Sequence, residues 1–147
     1  ALSVKHMDQS KRSALIEHLR RVGGLDESQP AHAVTLEQFF DGNDDYGSIG
    51  CNLTNHPSPE RFYRTLVALR DRKDVHNVLI EIHEVEESDT AMWPFSERVF
   101  VIARCDQSTV AELFSPLQPS EIETGIPLPP TADNAPSGYT VFSAWWD

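Results

Sequence analysis

Two neighbouring runs of period-two hydrophobicity restrict this chain more than any other feature. In residues 76–85, Val78, Ile80 and Ile82 alternate with Leu79, Glu81 and His83. In residues 97–105, Val99, Val101 and Ala103 alternate with Arg98, Phe100, Ile102 and Arg104. Such alternation sends successive side chains to opposite faces of a strand. An acidic segment containing Pro94 separates the runs, which predicts an antiparallel hairpin with a long connection.

Helix signals surround the hairpin. Ser58-Pro59-Glu60 supplies a capping hydroxyl, a proline at the first helical position and an acid in the first turn. Phe62, Leu66 and Leu69, widened by Tyr63 and Val67, then form its apolar stripe, and Arg70, Arg72 and Lys73 close it. Upstream, Leu15, Ile16, Leu19 and Val22 oppose Lys11, Arg12, Glu17 and Arg20, a helical pattern from Asp8 that Gly23-Gly24 stops. Thr35 with Gln38 spells a capping box for one or two turns through Phe40, closed by the polar loop 41–47. Thr109 with Glu112 spells another, ending near Phe114.

Ser48-Ile49-Gly50-Cys51-Asn52-Leu53 alternates apolar with small or polar residues and is read as a strand. Six of the ten prolines fall between Pro116 and Pro136, which predicts a surface excursion without regular elements. Residues 138–146 are aromatic and β-branched enough for a last strand. The predicted fold is therefore α+β: an antiparallel sheet with helices on one face, in the ferredoxin-like order β-α-β-β-α-β after an N-terminal helix. The other face carries Leu79, Glu81, His83, Phe100, Ile102 and Arg104, too apolar to be wholly wet, so the first helix or a partner is expected to cover it.

The 147 residues suit one domain, 8–147. His6-Met7 looks like a cloning junction ahead of a natural start, so residues 1–7 are read as a non-native or disordered leader; the alternative is a native chain whose initiator was removed. With 12 basic and 23 acidic residues the net charge is −11, which argues against nucleic acid as the main partner. No apolar run reaches a membrane span. Two cysteines make no disulfide framework, so a reducing, cytoplasmic setting is expected.

The charges are segregated. Residues 22–60 hold seven acids and no lysine or arginine, and residues 106–147 hold six acids and again no base. All twelve bases lie in residues 5–21 and 61–73 and at Arg98 and Arg104. The loops are thus almost purely anionic, a pattern that serves solubility or steers a basic partner.

Candidate chemistry is sparse. The loop from Asp41 to Gly47 has oxygen ligands at calcium-like spacing, but Tyr46 stands where glycine is required and Asn52 where a bidentate glutamate is. His83-Glu84 opens like a zinc-protease signature that lacks its second histidine. Cys51 falls on the apolar set and is expected to be buried, and Glu81 is expected to pair with Arg104 across the hairpin. Asn52-Leu53-Thr54 spells a glycosylation acceptor, which carries meaning only in a secreted chain. No metal, cofactor or catalytic residue is assigned. Trp145 and Trp146 are expected on opposite faces; core packing is one reading of the tryptophans, and Trp93, beside acids, is taken as an interface anchor.

Gly42-Asn43-Asp44-Asp45 leading into 48–53, then Trp93-Pro94-Phe95-Ser96, then Trp145-Trp146-Asp147, resembles a widespread family of small uncharacterised bacterial proteins. In size and acidity the chain is also similar to the immunity proteins of bacterial toxin systems, a resemblance of composition that transfers no catalytic residue. The expected function is non-enzymatic: an immunity-type inhibitor that occludes a basic, toxin-like enzyme. Asp41, Asp44, Asp45, Glu84, Glu86, Glu87 and Asp89 would supply the charge, and Tyr46 and Trp93 the anchors. No nucleic acid or membrane partner is expected, and the oligomeric state stays open. The alternative is a small-molecule-binding or hydrolytic enzyme using Glu81, His83 and Arg104 on the open sheet face.

Overall fold

The computed structural model describes residues 6–147; the rest of the expected leader, residues 1–5, lies outside the described residues. Asp8 caps helix α1 (Gln9–Arg21) by accepting from the amides of Ser10 and Lys11. A short edge strand β1 (His32–Val34) precedes α2 (Leu36–Phe40), where Thr35 and Gln38 form the expected capping box. After helix α3 (Pro59–Arg70) come β2 (Val75–Ile82) and β3 (Arg98–Ala103), the expected antiparallel hairpin with its long connection. Helix α4 (Gln107–Phe114), β4 (Glu121–Thr124) and β5 (Thr140–Trp145) complete the chain. Among the described residues no helix is long and apolar enough to cross a membrane.

The molecule is α+β, with one five-stranded sheet in the order β1-β2-β3-β5-β4 and every neighbouring pair antiparallel. This differs from the expected β-α-β-β-α-β order because residues 48–53 form no strand. Tyr46–Ser48 is a 3₁₀ turn, Ile49 makes a single parallel bridge to Ser96, and Gly50 at φ 65° then reverses the chain. That φ strains any residue with a side chain, and a Cβ on Gly50 would also press on Leu53 Cδ1 at 2.9 Å. Cys51 is exposed on that turn, contrary to its expected burial. The first strand of the sheet is instead β1, which pairs Val34 with Ile80 and His32 with Ile82. Strand β4 likewise stands inside the proline-rich region, where no regular element was expected; it pairs Ile122 with Ala144.

One sheet face carries Val78, Ile80, Ile82, Val99, Val101, Phe142 and Ala144 into the main core. There they join Leu15 and Leu19 of α1, Phe39 and Phe40 of α2, Phe62, Leu66 and Leu69 of α3, and Phe114 of α4. On the opposite face Phe100 and Ile102 are also buried, yet outside that cluster. Helix α1 is not the cover, since its Leu15 and Leu19 pack into the main core. Residues 131–133 of the excursion between β4 and β5 come to rest beside Leu79 and Ile102. Tyr139, at the end of the same excursion, packs 5.7 Å from the His76 ring. The two tryptophans separate as expected: Trp146 is buried between Phe62 and Phe114, and Trp145 is half-buried.

Candidate functional site

Helix α1 builds the second acidic loop from beneath. Arg12, read from periodicity as part of the polar face, is 4% exposed. Its Nε donates to the Met92 carbonyl at 2.8 Å, and its Nη2 to the carbonyls of Glu86, Glu87 and Asp89 at 3.0, 3.2 and 3.0 Å. Gln9 adds a bond to the Thr90 carbonyl at 2.9 Å. A planar guanidinium with donors on several sides can close such a ring of carbonyls; an ammonium cannot. The loop is therefore gathered around a buried cation, and its carboxylates point elsewhere. Glu87 pairs with Arg20, Glu86 accepts from the Ser88 hydroxyl, and Asp89 accepts from the Ala91 amide.

The first acidic loop is fixed by its own side chains. The Asp8 amide donates to the Gly42 carbonyl at 2.9 Å, which anchors the loop to the start of α1. Asn43 is buried, donating to the Phe39 carbonyl and the Ser48 hydroxyl and accepting from the Asp45 amide. Asp45 accepts from the Gly47 amide with Oδ1 and from the Trp93 amide at 3.0 Å with Oδ2. Ser48 accepts the Ser96 amide at 2.7 Å through its carbonyl. The motif residues of 43–48 and 93–96 are thus one bonded seam joining the two loops. The calcium-like spacing is spent on it: Asn43 and Asp45 serve the backbone, and Asp41 pairs with Lys11 at 3.1 Å. That contact holds the Lys11 ammonium above its usual pKa.

Trp93 is not an interface anchor. It is 1% exposed and belongs to the core. The exposed apolar side chain at this position of the chain is its neighbour Met92, 43% accessible; Tyr46, on the loop bonded to it, is 55% accessible. Among the described residues, Asp44, Glu84, Glu86 and Asp89 have no ion pair with a base, whereas Asp41 and Glu87 do. A groove of about 640 Å³ opens beside Tyr46, walled by Phe40, Pro59 and Tyr63 and rimmed by Asp41 and Asp44. Phe40 and Tyr63 stack with centroids 5.5 Å apart, and burial followed by the bond to Glu37 raises the Tyr63 phenol. Seven acids and one anchor named from sequence do lie on these two loops. Met92 carried no periodic or motif signal, and Arg12 looked like any exposed helix cation.

The alternative set does not converge. Glu81 stands opposite Arg98, not Arg104, in the strand register. Arg104 lies beyond the other end of β3, roughly 20 Å along a six-residue strand, with its guanidinium over the Tyr139 ring. His83 meets Glu97 at 3.5 Å. Arg98 donates to the Ser143 hydroxyl and sits 3.6 Å from Glu123. Burial is the main cause that lifts the Glu81 carboxyl above 4.5, with Arg98 opposing it. His56, near Cys51 in sequence, is committed as well. Its Nδ1 accepts the Ser58 amide at 2.9 Å, which leaves the proton on Nε2 to donate to the Ile49 carbonyl at 2.7 Å.

Fold and surface together define a small α+β protein that presents an acidic, bonded pair of loops with exposed tyrosine and methionine. The chain belongs to the uncharacterized protein YfbO family, whose model matches residues 10–144. It is 32% identical over 121 residues to the uncharacterized protein YfbO of Escherichia coli (strain K12), an alignment covering 80% of this chain and 84% of that protein. This is the family of uncharacterised bacterial proteins that the glycine-asparagine, Trp93 and Trp145-Trp146 motifs resemble. No solved structure matches the chain.

Proposed function

We propose that this chain is a non-enzymatic binding protein whose acidic surface takes a basic protein partner, in the manner of an immunity-type inhibitor that covers a toxic enzyme. One observation carries the reading: two of the large exposed apolar side chains, Tyr46 and Met92, stand on two acidic loops that the Asp45–Trp93 bond holds together. Tyrosine and methionine are enriched in protein interfaces, and unpaired carboxylates around them supply steering and register. The loops are pre-shaped by Arg12 and Asn43, so little ordering entropy would be lost on docking.

The test is affinity capture from the source bacterium at low ionic strength, with wild type and the Tyr46→Ala/Asp44→Lys double variant as matched baits. A basic protein retained by the wild type, released by salt and lost by the variant supports the reading. Tyr46→Ala alone should weaken the complex by about 2 kcal/mol, roughly thirtyfold. Capture that is absent, or indifferent to both substitutions, overturns it.

A further inference from the structure

Helix α3 carries a second groove, of about 530 Å³, that the acidic surface does not use. Arg61, Arg64, Thr65, Ala68 and Arg72 line it together with Leu113 of α4. Arg61, Arg64, Thr65 and Ala68 fall at i, i+3, i+4 and i+7, a stripe on one helix face about 10 Å long, and Arg72 follows just past the helix end. Its far end is fixed, because Arg72 forms a two-bond pair with Asp74 at 2.9 Å. Its floor is apolar.

Among the described residues, the near end carries two free cations side by side. Lys11, Arg20, Arg70 and Arg98 each meet a carboxylate, and Arg12 is buried among carbonyls. Among the described residues, Arg61 and Arg64 pair with none. They are exposed, one helical turn apart, at the mouth of the same groove. Two unneutralised guanidiniums beside an apolar floor form an amphipathic receptor for an anion with a hydrophobic neighbour.

We infer that this groove binds an acidic segment of a polypeptide, its carboxylates on Arg61 and Arg64 and an apolar side chain on Ala68 and Leu113. A nucleic acid needs a longer basic track than two adjacent arginines. Small-molecule sites usually enclose most of their ligand, whereas Arg61, Arg64 and Ala68 all stand open to solvent. Laying a peptide along a helix face with spaced polar and apolar anchors is an established recognition geometry. The inference is independent of the reading above, since it uses no residue of the Tyr46 surface.

The experiment is fluorescence anisotropy on the full chain with a fluorescein-labelled peptide carrying two adjacent glutamates and, one helical turn later, two leucines. Saturable binding is expected, reduced about tenfold by Arg61→Gln and again by Arg64→Gln, and similarly reduced when the peptide glutamates become glutamines. Tyr46→Ala should leave it unchanged, and the melting curves of both arginine variants should match the parent. No saturable binding, equal binding of the glutamine peptide, or loss on Tyr46→Ala overturns the inference. So does competition by a DNA duplex through the same two arginines, or arginine-dependent self-association in sedimentation.

Discussion

The Arg12 side chain donates to four carbonyls of one loop from a position almost without solvent. Truncating it would strand those carbonyls and open a gap under the acidic surface. Arg12→Ala should therefore destabilise the protein by roughly 3 kcal/mol. Arg12→Lys should recover only part of this, because an ammonium cannot reproduce the planar fork. Urea denaturation reads the energy, and hydrogen exchange should speed up selectively in residues 86–92. An unchanged midpoint for Arg12→Ala would mean that the loop holds itself. At this scale periodicity assigned Arg12 to a polar face correctly, yet could not show that the face was roofed by a loop seventy-odd residues away. Trp93 and Met92 make the same point: adjacent residues exchange roles according to which one the seam turns inward.

Element boundaries followed local chemistry where capping bonds formed, but the Thr109–Glu112 spelling made no box: α4 begins ahead of it at Gln107, after Asp106, which makes no side-chain cap bond. Asp8, Thr35 and Ser58 all cap the helices they precede, since an N-cap needs only its own hydroxyl or carboxylate and the next three amides. Ser58 does so from φ 105° and ψ 152°, a region that suits glycine almost alone and costs other residues about 1–3 kcal/mol. The geometry is held by the Ser58 amide bond to His56 and the side-chain bond to the Arg61 amide. Ser58→Gly should thus raise stability by about 1 kcal/mol, because glycine removes the strain and is nearly as good a cap. Ser58→Ala should lower it by about 1 kcal/mol, losing the cap while keeping the strain. Thermal melts of the pair decide it, and a destabilised Ser58→Gly would refute the strain argument. The elements that escaped local reading, β1 and β4, are three and four residues long. They are too short to show a period and exist because β2 and β5 offer them an edge. The converse held at 48–53, where alternation was present but no edge received it.

For the whole molecule, charge and burial act on different faces. The acidic loops leave most of their carboxylates in water, whereas Glu81 sits half-buried on the face crossed by the excursion. Its folded pKa lies above the ordinary 4.5, mainly through burial. A carboxyl shifted upward contributes its full stability below the unfolded pKa and loses it as pH rises through the folded value. Ionised Glu81 therefore costs stability at neutral pH. Glu81→Gln should gain on the parent in melting temperature between about pH 4 and about pH 7. A gap that stays flat or narrows would show that Arg98 outweighs burial. Glu37, lowered mainly by its bond to Arg70, acts in the opposite sense and loses its contribution on acidification.

Periodicity, caps and turn residues by themselves determined the α+β class, three helix starts, the β2–β3 hairpin and the anionic character of the loops. Each of these depends on interactions within a few residues, or on composition. Only the tertiary structure decided the strand order, the burial of Trp93 and Phe100, and the joining of the loops that carry Tyr46 and Met92. These depend on which distant backbone groups find one another, and a hydrogen bond between residues 45 and 93 leaves no trace in the local pattern of either.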